Sequence, residues 1–187
     1  MSRPDAAPHP APPERHETAR LVLRKPNEGD APALFEGFAS DPDASRYLTW
    51  HPHADLDETR TFVAKCVDDW ERSRCFVYAL DRVDVPDQPV GLLHLRFSPA
   101  AASLGYVVSP TWQGRGIATE AVTCLVEWAM GQPSIFRVSA YCDVDNPASA
   151  RVLEKSGMLY EGTMRRFALH PNVSDEPRDA HLYARTR

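Results

Sequence analysis

Two short stretches carry residue types at spacings that could do chemistry. In "SPTWQGRGIATEA", Ser109 to Ala121, two glycines flank Arg115 directly before an amphipathic segment. Backbone N–H groups at a helix start have no intrahelical partner and sit at the positive end of the macrodipole, so they bind phosphate. Gly114 and Gly116 remove the side chains that would hold a diphosphate away from those donors. A dinucleotide-binding loop would need a third glycine where Thr119 stands, and a P-loop would need a Gly-Lys-Ser/Thr run that is absent. On this stretch alone, a plain glycine turn before a helix is the alternative. In the second stretch, "NPASARVLEKSGM", Asn146 suits an N-cap, Pro147 suits the first helical position and Gly157 stops the helix. Taken by itself it reads as a well-capped short helix.

The elements that must position these residues alternate along the chain. "ARLVLRKP" reads as a strand and "GDAPALFEGFA" as a short helix capped by Asp30, with Leu34, Phe35 and Phe38 on its apolar side. "RYLTWHPHADLDE" is a loop with aromatics, ending in Asp55 and Glu58 at capping-box spacing. Phe62, Val63, Cys66, Val67 and Trp70 then make one buried helical stripe. "CFVYALDR", "VGLLHLRF" and "ASLGYVVS" read as an antiparallel meander, and Ile117, Ala121, Leu125 and Trp128 share a helical face. A strand "IFRVSAYCDV", the capped helix and two closing strands, "MLYEGTMRRFAL" and "DAHLYARTR", complete a mixed α+β order.

Composition narrows the function classes. The chain has 187 residues, 43% of them hydrophobic, enough for one globular domain over residues 17–187. Residues 1–16 hold five of the seventeen prolines and read as a disordered tail. No run approaches the roughly 18 apolar residues of a membrane span, and no secretion signal opens the chain, so a soluble cytoplasmic protein is expected. Cys66, Cys75, Cys124 and Cys142 are scattered and read as reduced thiols, and His51 with His53 lacks a third metal ligand. With 21 basic against 26 acidic side chains and no basic stripe, nucleic acid is not an expected partner.

Together the two stretches resemble the GNAT superfamily of N-acetyltransferases, from about Glu17 to Arg187. The superfamily's QxxGxA loop signature stands as Gln113, Gly116 and Ala118. "TARLVLR", "WQGRGIATEA", the NxxSxxVLEKxGM run from Asn146 to Met158, "EGTMRR" and "DAHLYARTR" look most like the ribosomal-protein N-terminal (RimJ/RimL-type) branch. The resemblance implies a mostly antiparallel twisted sheet of about seven strands flanked by about four helices. It also implies acetyl-CoA as the bound donor. Amides of Gln113, Gly114, Arg115, Gly116, Ile117, Ala118 and Thr119 would cradle its pyrophosphate, the edge at Val107 and Val108 would pair with its pantetheine, and Asn146 and Ser149 would lie near the thioester. A splay between the strand before the loop and the next strand is implied too, although the sequence does not display it.

The same resemblance assigns chemistry. Many members protonate the leaving thiolate with a tyrosine where this chain has Leu153; in the ribosomal-protein branch a serine does so, corresponding to Ser149. The acidic residue assigned as base in that branch corresponds to Ala168, leaving Glu161, His170 or a water chain. An α-amine with a pKa of about 8 costs roughly 1.4 kcal/mol to deprotonate at pH 7, against about 4.6 for a lysine. Without a base, weakly basic amines are the better acceptors. The expected function is direct acetyl transfer to a primary amine, with peptide N-termini leading. A small-molecule amine (amino acid, polyamine or antibiotic) and a non-catalytic acyl-CoA sensor stand as alternatives. Tyr47 and Trp50, in "RYLTWHPH", are the expected substrate contacts, and Asp175 with Glu176 could face a cation. Monomer and homodimer are both open.

Overall fold

In the computed structural model, which describes residues 10–187, the period-two runs form β1 (Arg15–Glu17), β2 (Leu21–Arg24), β3 (Phe76–Arg82), β4 (Gly91–Ser98), β5 (Ala101–Val108), β6 (Arg137–Asp143), β7 (Leu159–Ala168) and β8 (Arg178–Thr186). They make one sheet in the order β1-β2-β3-β4-β5-β6-β8-β7, antiparallel at every step except β5 to β6. The helices are α1 (Ala31–Leu34), α2 (Pro42–Ser45), α3 (Leu56–Glu71), α4 (Ile117–Met130) and α5 (Pro147–Lys155). No helix among the described residues is long and apolar enough to cross a membrane.

Strand alternation sends side chains to two covered faces. Phe76, Tyr78, Leu80, Leu93 and Leu95 join Leu125, Val126 and Leu153 under α4 and α5, while Val77, Ala79 and Leu92 join Leu34, Val63 and Cys66 under α1 and α3. Val63, Cys66 and Trp70 of the expected α3 stripe are buried. Its cap is also as expected: Asp55 accepts from the Glu58 amide at 2.9 Å, and Glu58 reaches the amide of Ala54 at 2.7 Å. All four cysteines are free thiols, three of them buried.

Two expectations need correction. Residues 1–9 of the expected tail lie outside the described residues, but its end is ordered. Arg15, His16 and Glu17 pair with Arg24, Leu23 and Val22 as the eighth strand. The prolines precede the strand and so remove no ladder donor, and Tyr78 Oη donates to the Pro13 carbonyl at 2.8 Å. Asp30 makes no cap bond for α1. Its carboxylate instead takes Arg24 Nη2 at 2.6 Å, and Arg24 Nε reaches Asp81 at 2.6 Å. The Asp30 carboxylate also accepts from the Asn27 amide at 2.8 Å, closing a capping box on the 3-10 turn that precedes α1, and the ion pair compensates a buried charge that would cost several kcal/mol unpaired.

The parallel contact between β5 and β6 is short. Ala101, Ala102 and Ser103 pair with Arg137, Val138 and Ser139, and there the pairing ends. Leu104 to Val108 stay bonded to β4 but have no partner on the β6 side, while Ala140 to Asp143 continue on β8. The two strands therefore part into a slot, with α4 and α5 over one face. Gly91 sets the outer wall, since a Cβ there would lie 2.5 Å from the Val107 carbonyl oxygen. Gly91→Ala should push β5 from β4 and lower unfolding free energy by about 1–3 kcal/mol, read from the denaturant midpoint.

Candidate functional site

The loop at the narrow end of α4 is held open by backbone conformation. Gly114 and Gly116 have φ of 72° and 80°, a left-handed geometry that glycine adopts without strain. A Cβ at Gly114 would meet nothing within 4 Å, and Gly116 is the N-cap of α4. Among the described residues, no hydrogen bond takes the amides of Gly114 through Thr119. Gln113 departs from the expected cradle, because its amide donates to Pro110 O at 3.2 Å and its side chain to Val108 O at 3.0 Å. It fastens the loop across the end of β5. Arg20 Nη1 donates to Arg115 O at 2.9 Å, and its guanidinium also pairs with Glu120. Hydrogen bonds from Thr18 and Arg20 outweigh burial and hold the Glu120 carboxyl below its usual range. The first-turn carboxylate thus faces an arginine rather than standing free against an anion. Arg82 and Arg115 stack on Trp112, their guanidinium carbons 4.1 and 4.8 Å from its ring centroid. Six unpartnered amides, an open glycine and nearby guanidinium groups fit a diphosphate.

At the slot, Asn146 caps α5 by accepting from the Ser149 amide at 3.1 Å, which places Ser149 on the first turn facing β5. Tyr106 Oη lies 2.7 Å from Ser149 Oγ and 3.2 Å from the Ser149 carbonyl. Sequence reasoning missed this tyrosine. Its signal was the alternation of β5, which puts Tyr106 on the core side with Leu104 and Val108, where a hydroxyl must find a partner. Burial raises the Tyr106 phenol, with the Ser149 bond opposing, so it stays protonated. Cys142 stands beside them, its thiol pushed up to about 11 by burial. Leu153 is wholly buried in the core, so no acid comes from that position.

The other face of the slot carries a second set of polar groups. His94 lies over Gly105, whose added Cβ would meet the imidazole Cε1 at 2.5 Å. Burial, and secondarily Arg96, hold His94 down to about 4. At the end of β6, Asp143 accepts Arg178 Nε at 2.6 Å and Nη2 at 3.0 Å, and His170 packs against it. Tyr47 donates to Asp145 O at 2.9 Å and lies edge-on to His170, so it stands at this corner. Trp50 instead packs on His53 and Phe62 at the rim of the second core cluster. Asn172 ties the β7–β8 connection to that loop through Ser45 O and Trp50 O, at 2.7 and 2.8 Å. Glu161 on β7 is bound to Arg137 on β6, and Glu176 to Arg166, so neither is a free carboxylate at the slot. Ala168 is buried and carries no titratable group.

Residues 20–159 match the acetyltransferase (GNAT) domain model. The N-acetyltransferase YoaA of Bacillus subtilis is 26% identical over 170 residues, 90% of this chain and 94% of that one. The ribosomal-protein-serine acetyltransferase of Escherichia coli is 29% identical over 102 residues, 53% of this chain and 55% of that one. The ribosomal L7/L12 alpha-N-protein acetyltransferase RimL, solved with coenzyme A, superposes with a TM-score of 0.78 at 25% identity, covering 90% of this chain and 95% of its own.

His94 makes stability pH-dependent with a definite sign. The unfolded imidazole takes a proton near 6.5, whereas the folded one does so only near 4. Across that window the unfolded chain binds the extra proton, so stability falls as pH falls. Denaturant unfolding at pH 7 and pH 4.5 should show a smaller acid loss in His94→Gln than in the unaltered protein; equal losses would place the depressed imidazole elsewhere.

Proposed function

This chain belongs to the GNAT acetyltransferase family, and on that premise we propose that its acceptor is the α-amine of a peptide or protein N-terminus. The chain is an N-acetyltransferase that uses acetyl-CoA. When bound, acetyl-CoA supplies an acetyl group activated as a thioester. Amides of Gly114 to Thr119 are the residues suited to its pyrophosphate, and the unpaired edge from Leu104 to Val108 to its extended arm. A backbone N–H on that edge, near Val107 or Val108, can stabilise a developing oxyanion without side-chain reorganisation. Either hydroxyl can donate in the Tyr106–Ser149 bond; in the arrangement where Tyr106 donates to Ser149 Oγ, the serine proton is free to point toward the negative charge of a leaving sulfur. Ser149 is the proton donor in this reading, and Tyr106 is its positioning residue.

The observation that carries the acceptor class is the charge state of the open face. Arg178 bridges Asp143 and Asp145, so among the described residues these two carboxylates keep one net negative charge rather than two. A singly charged, weakly basic amine suits such a face better than a polyamine. RimL and the Escherichia coli relative, whose names give ribosomal-protein acceptors, support the same class.

Thiol release from acetyl-CoA should appear with peptides bearing a free N-terminus and not with the same peptides N-terminally blocked. Faster release with spermidine or an aminoglycoside would contradict the acceptor class. Ser149→Ala and Tyr106→Phe should each bind acetyl-CoA normally and turn over at least about tenfold slower; unchanged turnover would remove the hydroxyl pair from the reaction. Gly116→Val should abolish acetyl-CoA binding in a calorimetric titration, and normal affinity would defeat the loop assignment.

A further inference from the structure

His170 is 2% exposed, and neither of its ring nitrogens has a hydrogen-bond partner among the described residues. A buried imidazole left in that state is unusual, because an unmade bond costs about 1–3 kcal/mol. Its surroundings are specific. Nε2 lies 3.8 Å from Asp143 Oδ2 on β6, and Tyr47 comes edge-on from the connection after α2, ring centroids 6.5 Å apart. Asp143 is itself buried and anchored by Arg178 from β8, while Asp145 shares that arginine.

The position in the fold gives these contacts meaning. Along β6, Cys142 faces α4 and α5 and Asp143 faces the opposite side, at the wide end of the slot where β6 no longer pairs with β5. The capped start of α5 follows three residues later at Asn146. α4 and α5 cover one face of the slot, and Asp143 and His170 lie on the other. The other candidates for taking the acceptor amine's proton fall away. His94 is held down to about 4, Glu161 is paired with Arg137, and Ala168 has nothing to titrate.

We infer that His170, backed by Asp143, is the proton acceptor for the incoming amine. The inference rests on the acetyl-transfer reading but not on the peptide acceptor class. An N–H bond of the ammonium breaks, an N–H bond forms at His170 Nδ1, and the freed lone pair on the amine nitrogen makes the bond to the acetyl carbon as the carbonyl pair moves onto oxygen. When that pair returns the C–S bond breaks, the sulfur takes the Ser149 proton, and the second proton lost by the new amide nitrogen restores the Ser149 hydroxyl. Nε2 of the resulting imidazolium lies 3.8 Å from Asp143 Oδ2, and Asp143 is itself held by Arg178. Tyr47, edge-on to His170, donates its hydroxyl to Asp145 O at 2.9 Å.

The test is the pH profile of kcat/KM for the unaltered protein and for His170→Gln and His170→Asn, with acetyl-CoA affinity measured by calorimetry as the check on folding. Acetyl-CoA affinity should be unchanged. The rate ratio between the unaltered protein and each variant should be at least about tenfold at pH 7 and shrink below about threefold at pH 9, where the amine is already mostly neutral. In protein labelled with 15N-histidine, amine alone should shift the His170 ring nitrogens. A ratio constant across pH, or ring signals that ignore the amine, would overturn the assignment to His170. No thiol release by the unaltered protein with any amine would instead sink the transfer reading and this inference with it.

Discussion

Everything at this site depends on β5 and β6 staying together for only three residue pairs. A parallel pair that continued to Val108 would bury the strand edge in a ladder and leave nothing for an extended ligand to bond. Because the pair parts after Ser103 and Ser139, the backbone groups of Leu104 to Val108 on that side must find partners outside the protein's own ladder. The same parting separates the two faces of the site. Tyr106, Cys142 and Ser149 gather on the side of α4 and α5, while Asp143 and His170 meet on the other, the side on which His94 lies over Gly105.

The loop before α4 and the cap of α5 are consequences of strand ends arriving at that slot. Gln113 bonds the Val108 carbonyl and turns the chain, after which two left-handed glycines and the first turn of α4 leave six amides, Gly114 to Thr119, without a partner among the described residues. The Asn146 cap does the equivalent for α5 and fixes the register at which Ser149 meets Tyr106. Electrostatics are balanced locally rather than by net charge. Arg20 answers Glu120 at the loop, and Arg178 answers Asp143 and Asp145 at the acceptor corner.

Features set by local sequence were legible before any coordinates. The glycine loop, the Asn146 cap, the α3 stripe and the β3–β5 meander all follow from spacing within a few residues. What the sequence hid depends on distant partners. Tyr106 and Ser149 are 43 positions apart, and their contact exists only because β5 and α5 converge. Arg15–Glu17 sits beside prolines that suggest disorder, yet pairing with β2 supplies its ladder. Asp30 looked like a cap because Arg24 and Asp81, which claim it and its partner, are invisible to local pattern. Trp50 looked like a loop contact, and its packing on Phe62 and His53 required α3 to be in place. Whether a histidine in the β7–β8 connection reaches β6 could not be read from spacing either.

Amide hydrogen exchange with and without coenzyme A tests the central claim most directly, since it reads the unpaired strand edge itself. Saturating coenzyme A should slow exchange at amides within Leu104 to Val108 and Gly114 to Thr119 together, and leave β2 and β3 unchanged. Protection that misses the edge of β5, or falls on the loop alone, would contradict the slot as the place where the donor is held.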